Sequence, residues 1–168
     1  MIKMIKMYHN PVLLKESIIG LNINPNGIYV DATFGGGGHS TEILNNLNSS
    51  GRLIAFDQDQ DAIENKILDK RVSLVKSNFK YLNNYLNYFQ INKIDGLLAD
   101  FGISSYQIDN EKRGFSTRFD SELDMRMNNS QKTDAKAIIN DYKKDQKLNC
   151  IVFAVDAERE RISLKLSE

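Results

Sequence analysis

The sequence is short of the residues that hold small extracellular domains or metal centres together. Its 168 residues include a single cysteine, Cys150, so no intramolecular disulfide framework is available and a reducing compartment is expected. Two histidines beside that cysteine are too few for the common zinc sites. No apolar run approaches the ~18 residues that a membrane-spanning helix needs. The opening MIKMIKMYHN has lysines but no long apolar core behind them, which is not the pattern of a signal peptide. Net charge is lacking as well: 22 basic residues face 22 acidic ones, so any nucleic-acid binding must come from a local patch. There is no internal repeat and no low-complexity tract. The expectation from these absences is a soluble, cytoplasmic chain.

What is present is globular. Hydrophobic residues make up 41% and charged residues 26%, outside the ranges of disordered or fibrous chains. The length suits one domain with a short appendage, able to bury roughly two-thirds of its surface on folding. Up to about residue 100, strand-like and helix-like stretches alternate, which predicts an α/β domain with a parallel sheet. The spacing predicts a helix from Pro11 to Leu21, opened by its proline, and then a turn at Asn24-Pro25-Asn26-Gly27. IYVDAT is the first expected strand, RLIAFD the second, VSLVKS the third and IDGLLAD the fourth. Helices are expected from about Ser40 to Leu47 and over residues 59–68, and Phe79, Leu82, Leu86 and Phe89 recur at a spacing that should face the sheet. Strands one, two and four end in Asp31, Asp57 and Asp100, where open α/β sheets place their ligand crevice.

The first strand runs into FGGGGHS, four consecutive glycines before a helix. Such a loop costs backbone entropy unless the chain must approach something closely. A dinucleotide loop reads G-x-G-x-x-G and a Walker loop needs lysine before Ser or Thr, and neither template fits here. An adenosyl ligand without phosphates fits better, because Asp57, 19 positions after Gly38, can accept both ribose hydroxyls. The plainer alternative is a tight turn with unremarkable strand-end acids. His39 can pack beside the amino-acid part of such a ligand or cap the turn. Phe79 can flank an adenine or belong to the core.

HNPVLLKESIIGLNINPNGIYVDATFGGGGHS, LIAFDQDQDAI, IDGLLADFGISSYQID, RGFS and LDMRMN together resemble the cytidine methyltransferase H family, from about Tyr8 to Asn128. The resemblance implies a Rossmann-like class I methyltransferase sheet. It also implies S-adenosylmethionine as cofactor and, as partner, small-subunit ribosomal RNA or an immature small ribosomal subunit, methylated on a cytidine amine. It implies cofactor contacts at Gly37, Gly38, His39, Asp57, Phe79, Asp100 and Gln107. A cytidine amine is a poor nucleophile, so transfer depends on positioning and on acceptors that polarise it. Asp100 is the candidate for that role, with Ser104 and Ser105 beside it, and no general base stands out.

After Asp100 the pattern changes. Residues 101–130 mix charges and serines with no long apolar period, as a functional connection does. Its cations, Arg113, Arg118, Arg126, Lys132 and Lys136, offer an alternative reading as a noncatalytic RNA-binding module, against that of a solvated loop. A short helix is expected from Ala135 to Tyr142. CIVFAV, a polar turn and ISLKL then predict an antiparallel hairpin, which could also pair with the open edge of the sheet. This tail resembles the last strands of an oligonucleotide-binding repeat of a ribosomal protein. The expected layout is a cofactor-binding core over residues 1–108, a connection beginning a substrate region over 109–145, and a hairpin over 146–168. Family members run to about twice this length, so the resemblance implies an incomplete sheet and a truncated or fused form, or a noncatalytic cofactor- or RNA-binding fragment.

Overall fold

The computed structural model describes residues 11–141, 146–147, 150–156 and 161–166, the last two stretches by their backbone. The expected contributions of residues 8–10, and of Tyr142 to its helix, lie outside the described residues. By internal contacts the chain divides into two compact units, one up to Ala135 and one from Lys136.

Four parallel strands form the sheet of the first unit: β1 (Ile28–Asp31), β2 (Arg52–Asp57), β3 (Val72–Lys76) and β4 (Gly96–Leu98), in the order β3-β2-β1-β4. Register pairs Asp31 with Ala55 on one side and Leu98 on the other. Successive residues of a strand point to opposite faces. Tyr29 and Leu53 therefore enter one core with Ile43 and Leu44 of the following helix and Leu47 just beyond it, while Val30, Ile54 and Phe56 enter a second. Both faces are covered, which is why these strands read as nearly unbroken apolar runs.

Helix α1 (Leu14–Leu21) starts three residues later than its proline suggested. Pro11 packs against Gly38 and the Val12 carbonyl bonds His39, so this stretch is held by the next helix instead of joining its own. Helix α2 (Gly38–Asn45) follows the glycine loop. The helix expected over 59–68 is only α3 (Gln60–Ile63). Beyond it the chain turns so that Ile67 reaches the first core and Arg71 donates to the Leu44 and Leu47 carbonyls at 3.0 and 2.5 Å. These carbonyls belong to the end of α2 and the turn after it, and Arg71 ties both to β3 from outside the helix. Asp69 fixes Arg71 with a 2.7 Å ion pair, and that guanidinium holds the Asp69 carboxyl down at about 2.

In α4 (Leu82–Tyr88) and just after it, Leu82, Leu86 and Phe89 pack on the second core as expected. Phe79 does not. It opens a 3-10 turn (Phe79–Tyr81) whose tighter pitch takes it out of phase with the helix, and it is 40% exposed. Past β4 come α5 (Ser105–Asp109), a second 3-10 turn (Glu111–Arg113) and α6 (Ala135–Asp141). In the second unit β5 (Cys150–Asp156) pairs antiparallel with β6 (Arg161–Leu166), with a bulge between Val152 and Ala154. The predicted hairpin is there. It forms a two-stranded sheet of its own.

Candidate functional site

The carboxyl ends of the parallel strands carry the acids that the sequence singled out. Asp31 is fully buried and accepts from Ser40 Oγ at 2.7 Å and from the Thr33 amide at 3.0 Å. Burial pushes its carboxyl up, against those two hydrogen bonds. Its work is internal: it ties the start of the glycine loop to the first turn of α2.

Asp57 stands one strand over. Its Oδ2 accepts the Gly35 amide at 2.8 Å and its Oδ1 the Asp59 amide at 2.9 Å. Burial raises this carboxyl too, opposed chiefly by the same two backbone donors. Each oxygen has two lone pairs, so both retain an acceptor position. A carboxylate pinned in this way is oriented before any ligand arrives.

The four glycines have different reasons to be glycine. Gly37 lies at φ +78°, and a side chain there would meet the Phe34 ring at 2.9 Å. Gly38 is forced by Pro11, whose Cγ would lie 2.2 Å from an added Cβ. These two expected contacts thus have full explanations inside the protein. Among the described residues Gly36 has none: it is exposed, and an added Cβ would meet no described atom within 4 Å. Gly36 is the position where the loop is bare toward open space, and the run of four glycines was its only signal in the sequence. Helix α2 begins at the same loop with Gly37 as N-cap and no side-chain cap, leaving its first amides for a ligand or water. His39 is buried, with Nε2 3.1 Å from the Val12 carbonyl, so this nitrogen carries the proton.

Phe79 and Phe101 form a tilted pair with ring centroids 5.5 Å apart. They follow β3 and β4, the two outer strands, which stand three strand spacings or about 14 Å apart. The two rings therefore converge over the ends of the middle strands, where Asp31 and Asp57 sit. Phe101 is 71% exposed. Beside it the Asp100 carboxylate is exposed and makes no hydrogen bond to a described residue, while its amide donates to Thr33 Oγ1 at 2.8 Å. Asp100 lies two residues past the end of β4, beyond the strand expected to carry it.

Ser104 caps α5. Its hydroxyl accepts the Gln107 amide and Gln107 Oε1 accepts the Ser104 amide in a reciprocal box. Gln107 is buried, and its Nε2 donates to Asp59 Oδ2 at 2.7 Å. The sequence passed over Asp59, a buried acid that the string DQDQD does not distinguish from its neighbours. It also placed Arg113 among the cations of a connection, whereas Arg113 is buried in ion pairs with Asp59 and Asp61. Arg118 pairs with Asp109 and Arg126 with Asp124, so three of the five candidate RNA-binding cations are already held by carboxylates.

Among the described residues there is no cluster of three or more acids, histidines or cysteines able to hold a metal, and no helix long and apolar enough to cross a membrane. A family model for the MraW methylase family matches residues 6–167. The chain belongs to that family. The match runs through the tail as well as the glycine-loop half. The "Ribosomal RNA small subunit methyltransferase H" of Christiangramia forsetii is 59% identical over 139 residues, 83% of this chain and 46% of that protein. The proteins of the same name from Flavobacterium johnsoniae and Cytophaga hutchinsonii are 51% and 56% identical over 87% and 81% of this chain. The chain spans about half the length of the curated relatives it matches. The sheet has the Rossmann-like arrangement expected, with four parallel strands.

Proposed function

We propose that the chain binds S-adenosylmethionine across the carboxyl ends of β1 and β2, as the cofactor-binding part of an enzyme methylating a cytidine amine in small-subunit ribosomal RNA. The observation that carries this reading is Asp57, fixed by the Gly35 amide with both oxygens still able to accept. A ribose presents two adjacent hydroxyls, and a bidentate acceptor at the end of a strand suits them. Gly36 leaves room for the ligand, and the uncapped start of α2 favours its carboxylate. The Phe79 and Phe101 rings offer an apolar wall to the adenine. Gly37, Gly38 and His39 shape the loop, and Gln107 ties α5 to Asp59 beside Asp57. When bound, the cofactor supplies an activated methyl group on a sulfonium. The exposed Asp100 carboxylate then has the task of accepting a hydrogen bond from the target amine, which concentrates electron density on the nitrogen. A cytoplasmic site of action and an immature small ribosomal subunit as partner belong to the same reading.

Calorimetric titration with S-adenosylmethionine, NAD and single-stranded RNA tests the binding step: saturable binding of the first alone is expected. For transfer, the assay is radiolabelled S-adenosylmethionine with immature small subunits, with Asp100→Ala as control. This chain spans about half of its relatives' length, and Arg113, Arg118 and Arg126 are held by carboxylates, so weak labelling is expected. Holding a base out of its stack costs a few kcal/mol and needs a shaped pocket. Near-stoichiometric labelling of one cytidine, lost in the control, would show that these residues suffice for catalysis.

A further inference from the structure

Arg113 lies far from the glycine loop in sequence, 52 positions from Asp61, yet it is joined to that loop by a short chain of hydrogen bonds. Its Nη2 pairs with Asp59 Oδ2 at 2.7 Å and donates to the Arg126 carbonyl at 2.9 Å, and its Nη1 pairs with Asp61 at 2.6 Å. Arg113 and Asp59 are each only 4% exposed. The Asp59 amide donates to Asp57, and Asp57 holds Gly35. The other bond on Asp59 Oδ2 comes from Gln107. Arg113 itself has little freedom. Asn110 caps its 3-10 turn, and Gly114 ends that turn at φ +69° with backbone of residues 122 and 124 only 2.6 Å from an added Cβ.

Resting on the cofactor reading above, we infer that Arg113 is a positioning residue: it neutralises buried Asp59, so that this carboxylate holds Gln107 while its amide orients Asp57. A buried carboxylate stripped of its partner either takes up a proton or turns to water. Either response moves the α3 N-terminus, whose N-cap is Asp59 accepting the Asp61 amide, and with it the amide on Asp57. The arginine of the RGFS run is then tied to the ribose acceptor without touching a ligand.

Charge rescue separates this role from simple packing. Calorimetric affinity for S-adenosylmethionine is measured for the wild type, Arg113→Met, Asp59→Asn and the double variant. Arg113→Met is expected to weaken binding by at least about tenfold, because it leaves the Asp59 charge buried and unpaired. Adding Asp59→Asn removes that charge but keeps only one acceptor oxygen, for Gln107 or for the Asp61 amide, and should return at least half of the lost binding free energy. If Arg113→Met fails to fold, the double variant still decides by circular dichroism and affinity together. Recovery of both supports neutralisation. A double variant that binds as poorly as, or folds no better than, Arg113→Met overturns it, as does an Arg113→Met protein with wild-type affinity. Absence of binding by the wild type removes the cofactor reading and this inference together, whereas wild-type binding with failed rescue removes only the inference.

Discussion

Residues 28–57 and residues 101–131 both border the candidate site, and they are ordered by opposite means. In the first stretch, β1 and β2 alternate their apolar side chains into two cores, and the bond that sets the loop on the sheet, Gly35 to Asp57, spans 22 positions. The second stretch has no apolar period and leaves Phe101, Ile103, Phe119, Leu123 and Met125 substantially exposed. It is fixed instead by Gln107 and Arg113, which reach back 48 and 52 positions to Asp59 and Asp61. A ligand site at the junction therefore takes its rigid wall from hydrophobic packing and its other wall from a few buried charges. Perturbing the first wall should cost global stability, and perturbing the second should cost binding and local order.

The largest effect is expected in the packed wall. Ile54 is fully buried in a central strand, and Ile54→Ala should destabilise the fold by about 2–5 kcal/mol through lost transfer energy and a cavity. Denaturant unfolding monitored by circular dichroism measures it. A change below ~1 kcal/mol would mean that the first wall is not held by packing, and the contrast would fail.

At the junction, Asp57→Ala should weaken S-adenosylmethionine binding by about 1.5–3 kcal/mol, roughly tenfold to a hundredfold, through loss of charge-assisted bonds to the ribose. Unchanged calorimetric affinity, with the fold intact, would remove Asp57 from the site. The same carboxylate sets a pH dependence. Burial raises its pKa above the ordinary 3.8, and the ligand needs the ionised acceptor. Affinity should therefore hold at neutral pH and fall as acidification passes that raised value, before ordinary carboxylates protonate. The sign for folding is opposite: the raised carboxyl is least costly to the fold when protonated, so unfolding and loss of binding should separate in a titration.

Legibility in the sequence divided along the same line. RLIAFD became β2 without a residue's change, because a strand buried on both faces announces itself by composition alone. Phe79 shared the helical spacing of Leu82 and Leu86 but lies in a 3-10 turn, and spacing cannot show where a helix changes pitch. The glycine string marked the loop without distinguishing members. Only the structure shows that Gly37 answers to Phe34, Gly38 to Pro11, and Gly36 to no described residue. Asp59 and Arg113 were not identified as a pair because a charge is buried by its partner, and a partner dozens of residues away leaves no local pattern.

The smallest effect is expected at Ser104, where the second wall begins. Its hydroxyl accepts the Gln107 amide at 3.2 Å, closing a capping box at the start of a helix only five residues long. A helix this short has no cooperative stability of its own and depends on its cap and on the Gln107–Asp59 bond. Ser104→Ala should cost about 0.5–2 kcal/mol, the usual range for losing such a cap. Because no large apolar surface of this segment is buried, the loss should appear locally. Amide exchange over Ser105–Asp109 should accelerate while exchange in the central strands stays unchanged. Affinity for S-adenosylmethionine should fall slightly, since Gln107 Oε1 still accepts the residue-104 amide and its Nε2 still reaches Asp59. Equal acceleration in the strands and in the helix would show that the two walls unfold as one unit, and that the charges hold more of the fold than the site alone.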